Sequence, residues 1–155
     1  MHLETKRCLI RPLSLDDAGA LHLCLSDPEV MHFIEAPFDL PKTRAFIRDA
    51  GLATPPLVHA LVWKATGDVI GHVIFHPYPG GKDWEMGWVI RRNCWGRGIA
   101  SEVSLALMDF ARQKGIPGLI LECVPEQNAT RHIAEKLGFQ PIGEEDGCTV
   151  FRLPL

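Results

Sequence analysis

Residues 91–102, RRNCWGRGIASE, bring Arg91, Arg92 and Arg97 together with Gly96 and Gly98 where a strand-like run gives way to a helical one. The first turn of a helix leaves N–H groups without intrahelical acceptors and carries the positive end of the helix dipole. Such an end favours a phosphate or another anion. Gly96 and Gly98 allow the chain to curl and an anion to approach the backbone. The arginines add positive charge to a chain whose net charge is −3. The glycines alone suit a plain strand-to-helix connection equally well. The stretch is not a nucleotide phosphate loop, because no Lys-Ser/Thr follows the glycines, and it lacks the third glycine of a dinucleotide fingerprint.

Residues able to handle a proton lie just upstream. In 82-KDWEMGWVI-90, alternation puts Trp84, Met86, Trp88 and Ile90 on one face and Asp83, Glu85 and Val89 on the other. Glu85 is the first candidate for a general base and Asp83 a weaker one; either is equally at home as a polar residue on a half-exposed strand. His76 titrates near neutrality when unperturbed. His72 and His76 stand four apart without a third ligand, so no zinc site is expected. Cys94 lies beside the arginines and can be reactive there. Trp63, Trp84 and Trp88 are expected in the core or a pocket wall.

The elements that must position these residues follow from periodicity and punctuation. Residues 5–13 read as a first strand, and 14-SLDD-17 as a capping-box start for a helix to about residue 25. Residues 26–39 read as a short helical turn and irregular chain, followed by a helix over 41–50. Strands over 57–65 and 68–77 form a hairpin across Thr66 and Gly67, and 82–90 is a third strand of this group. A helix over 98–114 stops at Gly115. The buried strand 118-GLILECV-124, a helix over 128–137 and strands near 139–143 and 148–153 complete the chain. The order β-α-α-β-β-β-α-β-α-β-β is that of a mixed α/β domain.

At 155 residues the chain suits one domain, 1–155. A hydrophobic content of 46%, 23% charged residues and a pI near 6.1 describe an ordinary soluble protein with no basic footprint for nucleic acid. No apolar run spans a bilayer and no signal peptide is evident. Five scattered cysteines without a C-x-x-C pair suit neither a disulfide framework nor a metal site, and a cytoplasmic location is expected.

WGRGIASE after WEMGWVI, followed by 128-NATRHIAEKLGF-139, resembles the GNAT superfamily of acyl-CoA-dependent N-acetyltransferases. The opening ETKRCLIRPLSLDDA is similar to the branch that contains the ribosomal-protein N-terminal acetyltransferases. The resemblance runs over nearly the whole chain. It implies a mixed central sheet of about six to seven strands, helices on both faces and a splayed gap between the two central strands. The family pattern Q/R-x-x-G-x-G/A falls on Trp95, Gly96, Arg97, Gly98, Ile99 and Ala100, with Trp95 in the place of Gln or Arg. These residues are thereby implied to hold the pyrophosphate of coenzyme A through backbone amides. Trp88, Val89 and Ile90 are implied to pair with the pantetheine arm, and the amide near Val89 to polarise the thioester carbonyl. Asn128 matches the asparagine that bonds the arm, and it is also a ready helix N-cap.

The tyrosine that often serves as the acid is replaced by Ala134, and the chain's one tyrosine, Tyr78, lies in a loop that topology places far from the sulfur. Thr130 matches a serine of the ribosomal branch and can donate to the leaving thiolate, or else belongs to the helix's first turn. Glu102 recurs in this branch, although a first-turn carboxylate stabilises a helix anyway. The implied activity is transfer of acetyl from acetyl-CoA to a primary amine, on a protein or peptide N-terminus or on a small molecule, by a monomer or homodimer without metal. The segment from Val30 to Phe38 and the loop from His76 to Gly81 are expected to admit the amine. The alternative is a catalytically weak acyl-CoA-binding sensor, and thiol release on addition of an amine separates the two.

Overall fold

The computed structural model describes all residues from Met1 to Leu155. One eight-stranded sheet in the order β1-β2-β3-β4-β5-β6-β8-β7 runs through the molecule. Its strands are Leu3–Glu4 (β1), Cys8–Arg11 (β2), Val58–Trp63 (β3), Asp68–Pro77 (β4), Trp84–Ile90 (β5), Gly118–Cys123 (β6), Gln140–Glu145 (β7) and Cys148–Pro154 (β8). All neighbours are antiparallel except β5 and β6, which run parallel. The sheet exceeds the expected six to seven strands because Leu3–Glu4, ahead of the expected first strand over 5–13, forms a strand of its own, while of 5–13 only Cys8–Arg11 is a strand. The chain turns at Thr5–Arg7, and β1 folds back on β2 with Leu3 opposite Ile10.

The helices are Ala18–Leu25 (α1), Pro28–Met31 (α2), Leu40–Phe46 (α3), Ile99–Gln113 (α4) and Asn128–Lys136 (α5). Ser14 and Asp17 close the anticipated capping box, and Arg11 grips the Asp17 carboxylate with both terminal nitrogens at 2.9 Å. Asp27 caps α2 and Asp39 caps α3 through their carboxylates, each helix carrying proline in its first turn. No helix is long and apolar enough to cross a membrane.

The two faces of the sheet carry separate cores. On one, Ile99, Val103, Leu107 and Met108 of α4 bury against Phe75, Met86, Leu119 and Phe151. That stripe recurs every three or four residues, so a single face of α4 is apolar. Phe75 sits at its centre, with ring centroids 4.9 Å from Trp84 and 5.7 Å from Phe110. On the other face, Leu21 and Leu25 of α1 and Ile47 pack on Val58, Ala60, Val69 and Val89. The alternation in β5 therefore divides as expected, with the tryptophans toward α4 and Val89 toward α1.

Candidate active site

The two parallel strands at the middle of the sheet part company almost as soon as they meet. β5 pairs with β6 only at Trp84–Leu119 and Glu85–Ile120. On its other side β5 stays in register with β4 from Trp84 opposite Pro77 to Ile90 opposite Gly71. The β6-facing edge of Met86 to Ile90 thus has no strand partner, and a wedge opens toward the carboxyl ends of both strands. Gly71 holds β4 close against the opposite edge of β5. A Cβ there would lie 2.0 Å from the Val89 carbonyl oxygen, so only glycine permits the approach.

Leaving β5, the chain makes the turn of residues 91–98. The Arg91 N–H donates to the Ile70 carbonyl at 2.7 Å, and the Trp95 N–H donates to the Arg92 carbonyl at 3.1 Å. Trp95 lies on the surface, and its indole N–H donates to the Ile90 carbonyl at 2.8 Å. Gly96 and Gly98 take φ of +73° and +74°, a region that a side chain disfavours. A Cβ on Gly96 would meet nothing within 4 Å, so the glycines are needed for conformation rather than for space. The N–H groups of Gly96, Arg97, Gly98, Ile99, Ala100 and Ser101 have no acceptor within the protein, and the first paired amide of the helix is Glu102, bonded to the Gly98 carbonyl. The N-terminus of a 15-residue helix therefore presents a row of open donors. The Trp95 amide is already spent and stands outside that row.

Of the arginines, Arg91 holds the Asn93 side chain and Arg92 pairs with Asp27 at 3.1 Å. Arg97 is exposed and its guanidinium has no protein partner. Arg7 stands behind the turn, donating to the Arg97 carbonyl at 2.8 Å and to Glu102 Oε1 at 2.8 Å. Thr5 Oγ1 and the Arg7 N–H bond the other oxygen of Glu102. Partial burial works against the Glu102 charge, but these Thr5 and Arg7 donors outweigh it and hold the carboxyl below its ordinary range. Glu102 thus fastens the Thr5–Arg7 turn to α4. Cys94, expected to be open to reaction, is instead buried in the core.

A cavity of about 460 Å³ occupies the wedge and runs beneath α2 and the segment that follows it. Glu85 lines it, its side chain 22% exposed, with Oε2 3.3 Å from Nε2 of its cross-strand neighbour His76. His76 Nδ1 lies 2.9 Å from the Pro77 carbonyl, which can only accept, so Nδ1 carries a proton. The contact between Nε2 and Glu85 is consequently a hydrogen bond only when a further proton sits between them. Burial raises the Glu85 pKa and Glu122 raises it further, against the opposing pull of His76. Asp83, the weaker candidate, is held bidentately by Arg152 at 2.7 and 3.1 Å and is bound up in the sheet.

Glu122 was not singled out in the sequence. It lines the cavity from β6, and Tyr78 donates its hydroxyl to Glu122 Oε1 at 2.6 Å. Glu145 Oε2 lies 2.9 Å from the same hydroxyl, which has a single proton for the two carboxylates. Bonding to Glu122, then burial and bonding to Glu145, raise the Tyr78 pKa. The tyrosine placed far away by topology thus reaches a cavity carboxylate. The visible signal was Glu122 itself, the one charge in 118-GLILECV-124.

Thr130 lines the cavity from the first turn of α5, and its hydroxyl makes no hydrogen bond within the protein. Asn128 opens α5 and is exposed, with no protein partner for its side chain. The capping position falls on Gln127, whose Oε1 accepts from the Val124 N–H instead. Ala134 is fully buried. His72 is almost fully buried beside the cavity, its ring tilted against that of Phe46 with centroids 5.1 Å apart and Nδ1 unpartnered; burial lowers its pKa to about 4, so the ring is neutral.

A splayed parallel strand pair, a helix N-terminus with open amides beside it and carboxylates in the wedge define an acyltransferase architecture. Residues 7–140 match the acetyltransferase (GNAT) domain family, and the chain belongs to it. It is 29% identical over 150 residues to the uncharacterized N-acetyltransferase YnaD of Bacillus subtilis, covering 96% of this chain and 88% of that one. A GNAT-family acetyltransferase from Bacillus anthracis superposes with a TM-score of 0.89 at 25% identity, covering 99% of this chain and 98% of that one. The ribosomal L7/L12 alpha-N-protein acetyltransferase RimL, solved in complex with coenzyme A, superposes at 0.83 over 100% of this chain and 98% of that one; at 18% identity that likeness concerns the fold. The chain is accordingly an acyl-CoA-dependent acetyltransferase.

Proposed function

We propose that this enzyme moves an acetyl group from acetyl-CoA directly to a primary amine. The row of open N–H groups from Gly96 to Ser101 carries the reading, because it suits a pyrophosphate at the end of a strand whose free edge suits an arm rich in amides. Gly96, Arg97, Gly98, Ile99 and Ala100 hold the pyrophosphate, and Trp95 braces the turn. Trp88 and Val89 run beside the pantetheine arm. The Ile90 carbonyl accepts from the Trp95 indole, which leaves the Ile90 N–H on the open edge for the arm. The free side chain of Asn128 is available to the arm.

Val89 turns its N–H and C=O to His72 of β4, so the donor that polarises the thioester carbonyl as the amine nitrogen adds to it is the N–H of its neighbour Trp88 on the open edge, not that of Val89. Glu85 takes the amine's proton, directly or through water, and burial keeps its proton affinity suited to that task. As the C–S bond breaks, Thr130 Oγ can donate to the thiolate. A thiol of ordinary pKa about 8.5 makes only a modest demand for an acid. The amine is a protein or peptide N-terminus, as in the ribosomal branch, or a small molecule, and the enzyme acts as a monomer or homodimer. Free thiols at all five cysteines suit a cytoplasmic location.

Calorimetry with acetyl-CoA and coenzyme A, beside thiol release on addition of amines, tests the proposal. Micromolar binding with amine-dependent release is expected. A folded protein that binds neither ligand would overturn it.

A further inference from the structure

The cavity in the wedge is asymmetric in chemistry. The segments from Leu25 to Val58 contribute apolar side chains, chiefly Met31, Phe33, Ile34, Phe38, Phe46 and Leu57. Their one charge, Glu35, is already paired with Lys42 at 2.7 Å. The strand side contributes two carboxylates, Glu85 and Glu122, and no lysine or arginine lines the cavity anywhere. Glu122 has only the Tyr78 phenol as a partner, and the nearest basic group to Glu85 is His76. An ammonium is therefore favoured at this end of the cavity, and a carboxylate beside Glu85 and Glu122 is opposed.

The apolar side discriminates further. Each peptide unit of a bound chain brings an N–H and a C=O that cost free energy when buried without partners. Those side chains offer none, and the nearby imidazole of His72 is the one neutral polar ring at that wall. A volume of about 460 Å³ lies near the lower end of the range for pockets holding drug-sized ligands, and the thioester end of the coenzyme must share it.

Resting on the acetyltransferase reading above, we propose that the acceptor is a small primary amine with an apolar body and no carboxylate. Its amino group lies at Glu85 and Glu122 and its body lies among Phe33, Ile34, Phe38 and Phe46. Phenethylamine and isopentylamine represent this class. Phenylalanine adds only a carboxylate to phenethylamine, and a phenylalanine-initial tripeptide amide adds only peptide units to it.

The test compares thiol release from acetyl-CoA for these four amines, with coenzyme A binding measured in parallel by calorimetry. We expect kcat/KM for phenethylamine to exceed that for phenylalanine and for the tripeptide amide by at least about tenfold, since each disfavoured acceptor strands a polar or charged group in the cavity. Equal or better turnover of phenylalanine or the tripeptide amide would overturn the inference and leave the acetyltransferase standing. Coenzyme binding without turnover of any of the four would also overturn it. Absence of coenzyme binding would take down the acetyltransferase reading as well. Ile34→Arg adds the missing cation at a side chain 48% exposed, where folding tolerates it. It should bring phenethylamine and phenylalanine to within about threefold of each other through their KM values. An unmoved ratio would show that the acceptor body does not lie there.

Discussion

The turn that opens α4 and the wedge between β5 and β6 adjoin at the end of one strand, but they act through different parts of the chain. The turn presents main-chain N–H groups, contiguous from Gly96 to Ser101, and depends on two positive φ angles. The wedge presents side chains from β4, β5, β6 and α5, which meet only when the sheet is in register. A main-chain site tolerates most side-chain changes and fails when the backbone cannot take its path. A side-chain site fails one functional group at a time. The difference separates coenzyme affinity from chemistry, and substitutions can be chosen to move one without the other.

The largest separation is expected from Glu85→Gln. Loss of a general base should lower kcat about 10²–10⁴-fold, while coenzyme A affinity stays within about twofold. Because burial and Glu122 raise the Glu85 pKa, the group takes up its proton above the pH where an ordinary glutamate does. The wild-type rate should therefore fall with decreasing pH along a limb displaced upward from the ordinary carboxylate range, and Glu85→Gln should abolish that limb. Retention of the limb in Glu85→Gln and its loss in Glu122→Gln would transfer the role to the second carboxylate.

Gly98→Val should have the opposite profile and come next in size. A β-branched residue at φ +74° is strained, and the N-terminus of α4 must reorient to relieve it. Weakening of acetyl-CoA binding by about 10²-fold is expected by calorimetry, at roughly 1.4 kcal/mol per tenfold. With saturating coenzyme, kcat should recover to within a few fold. A variant with normal affinity would show that the open amides are not the anion site.

Legibility in the sequence follows the same division. The turn could be read because its glycines, its arginines and the helix they introduce are neighbours in the chain. Glu85 was visible because alternation put it opposite the tryptophans of β5. Glu122 was not, since GLILECV reads as a buried strand and only the divergence of β6 from β5 turns its charge toward a cavity. Tyr78 sits in a connection whose partner is 44 residues away. Alternation through Thr5–Arg7 concealed a turn because both side chains reach Glu102, 97 and 95 residues on. Asn128 had the residue type of an N-cap, but Gln127 takes that position and the asparagine is left free.

Smaller effects are expected from Glu102→Gln, which weakens a charge-assisted network without touching the open amides. Two Arg7 donors and the Thr5 hydroxyl meet this carboxylate, so the substitution should cost about 1–3 kcal/mol of stability, measured by denaturant unfolding. The depressed Glu102 pKa sets the sign of the pH dependence. The network stabilises the fold above the pKa of the unfolded chain, and that contribution is lost as pH falls through the lower folded value. The wild type and Glu102→Gln should therefore converge in stability at acid pH. A difference that persists there would mean that packing, not charge, joins the Thr5–Arg7 turn to α4.

Arg97→Ala should have the smallest effect, and it bears most directly on the contrast between main chain and side chain. The residue lies at the centre of the turn, and its guanidinium is the one arginine head group there without a protein partner. If side-chain charge dominated the anion site, its removal would match Gly98→Val in coenzyme affinity. If the amides dominate, the loss is that of one exposed, solvent-screened ion pair, about 0.2–1 kcal/mol or up to about fivefold. The Arg97 carbonyl accepts from Arg7 in either case, so the turn itself should persist in the variant. Raising the salt concentration should erase the remaining difference between wild type and variant, because an exposed charge is screened while donors in direct contact with the anion are much less so. A loss of a hundredfold, or one insensitive to salt, would assign the site to the guanidinium and reverse the division between the two regions.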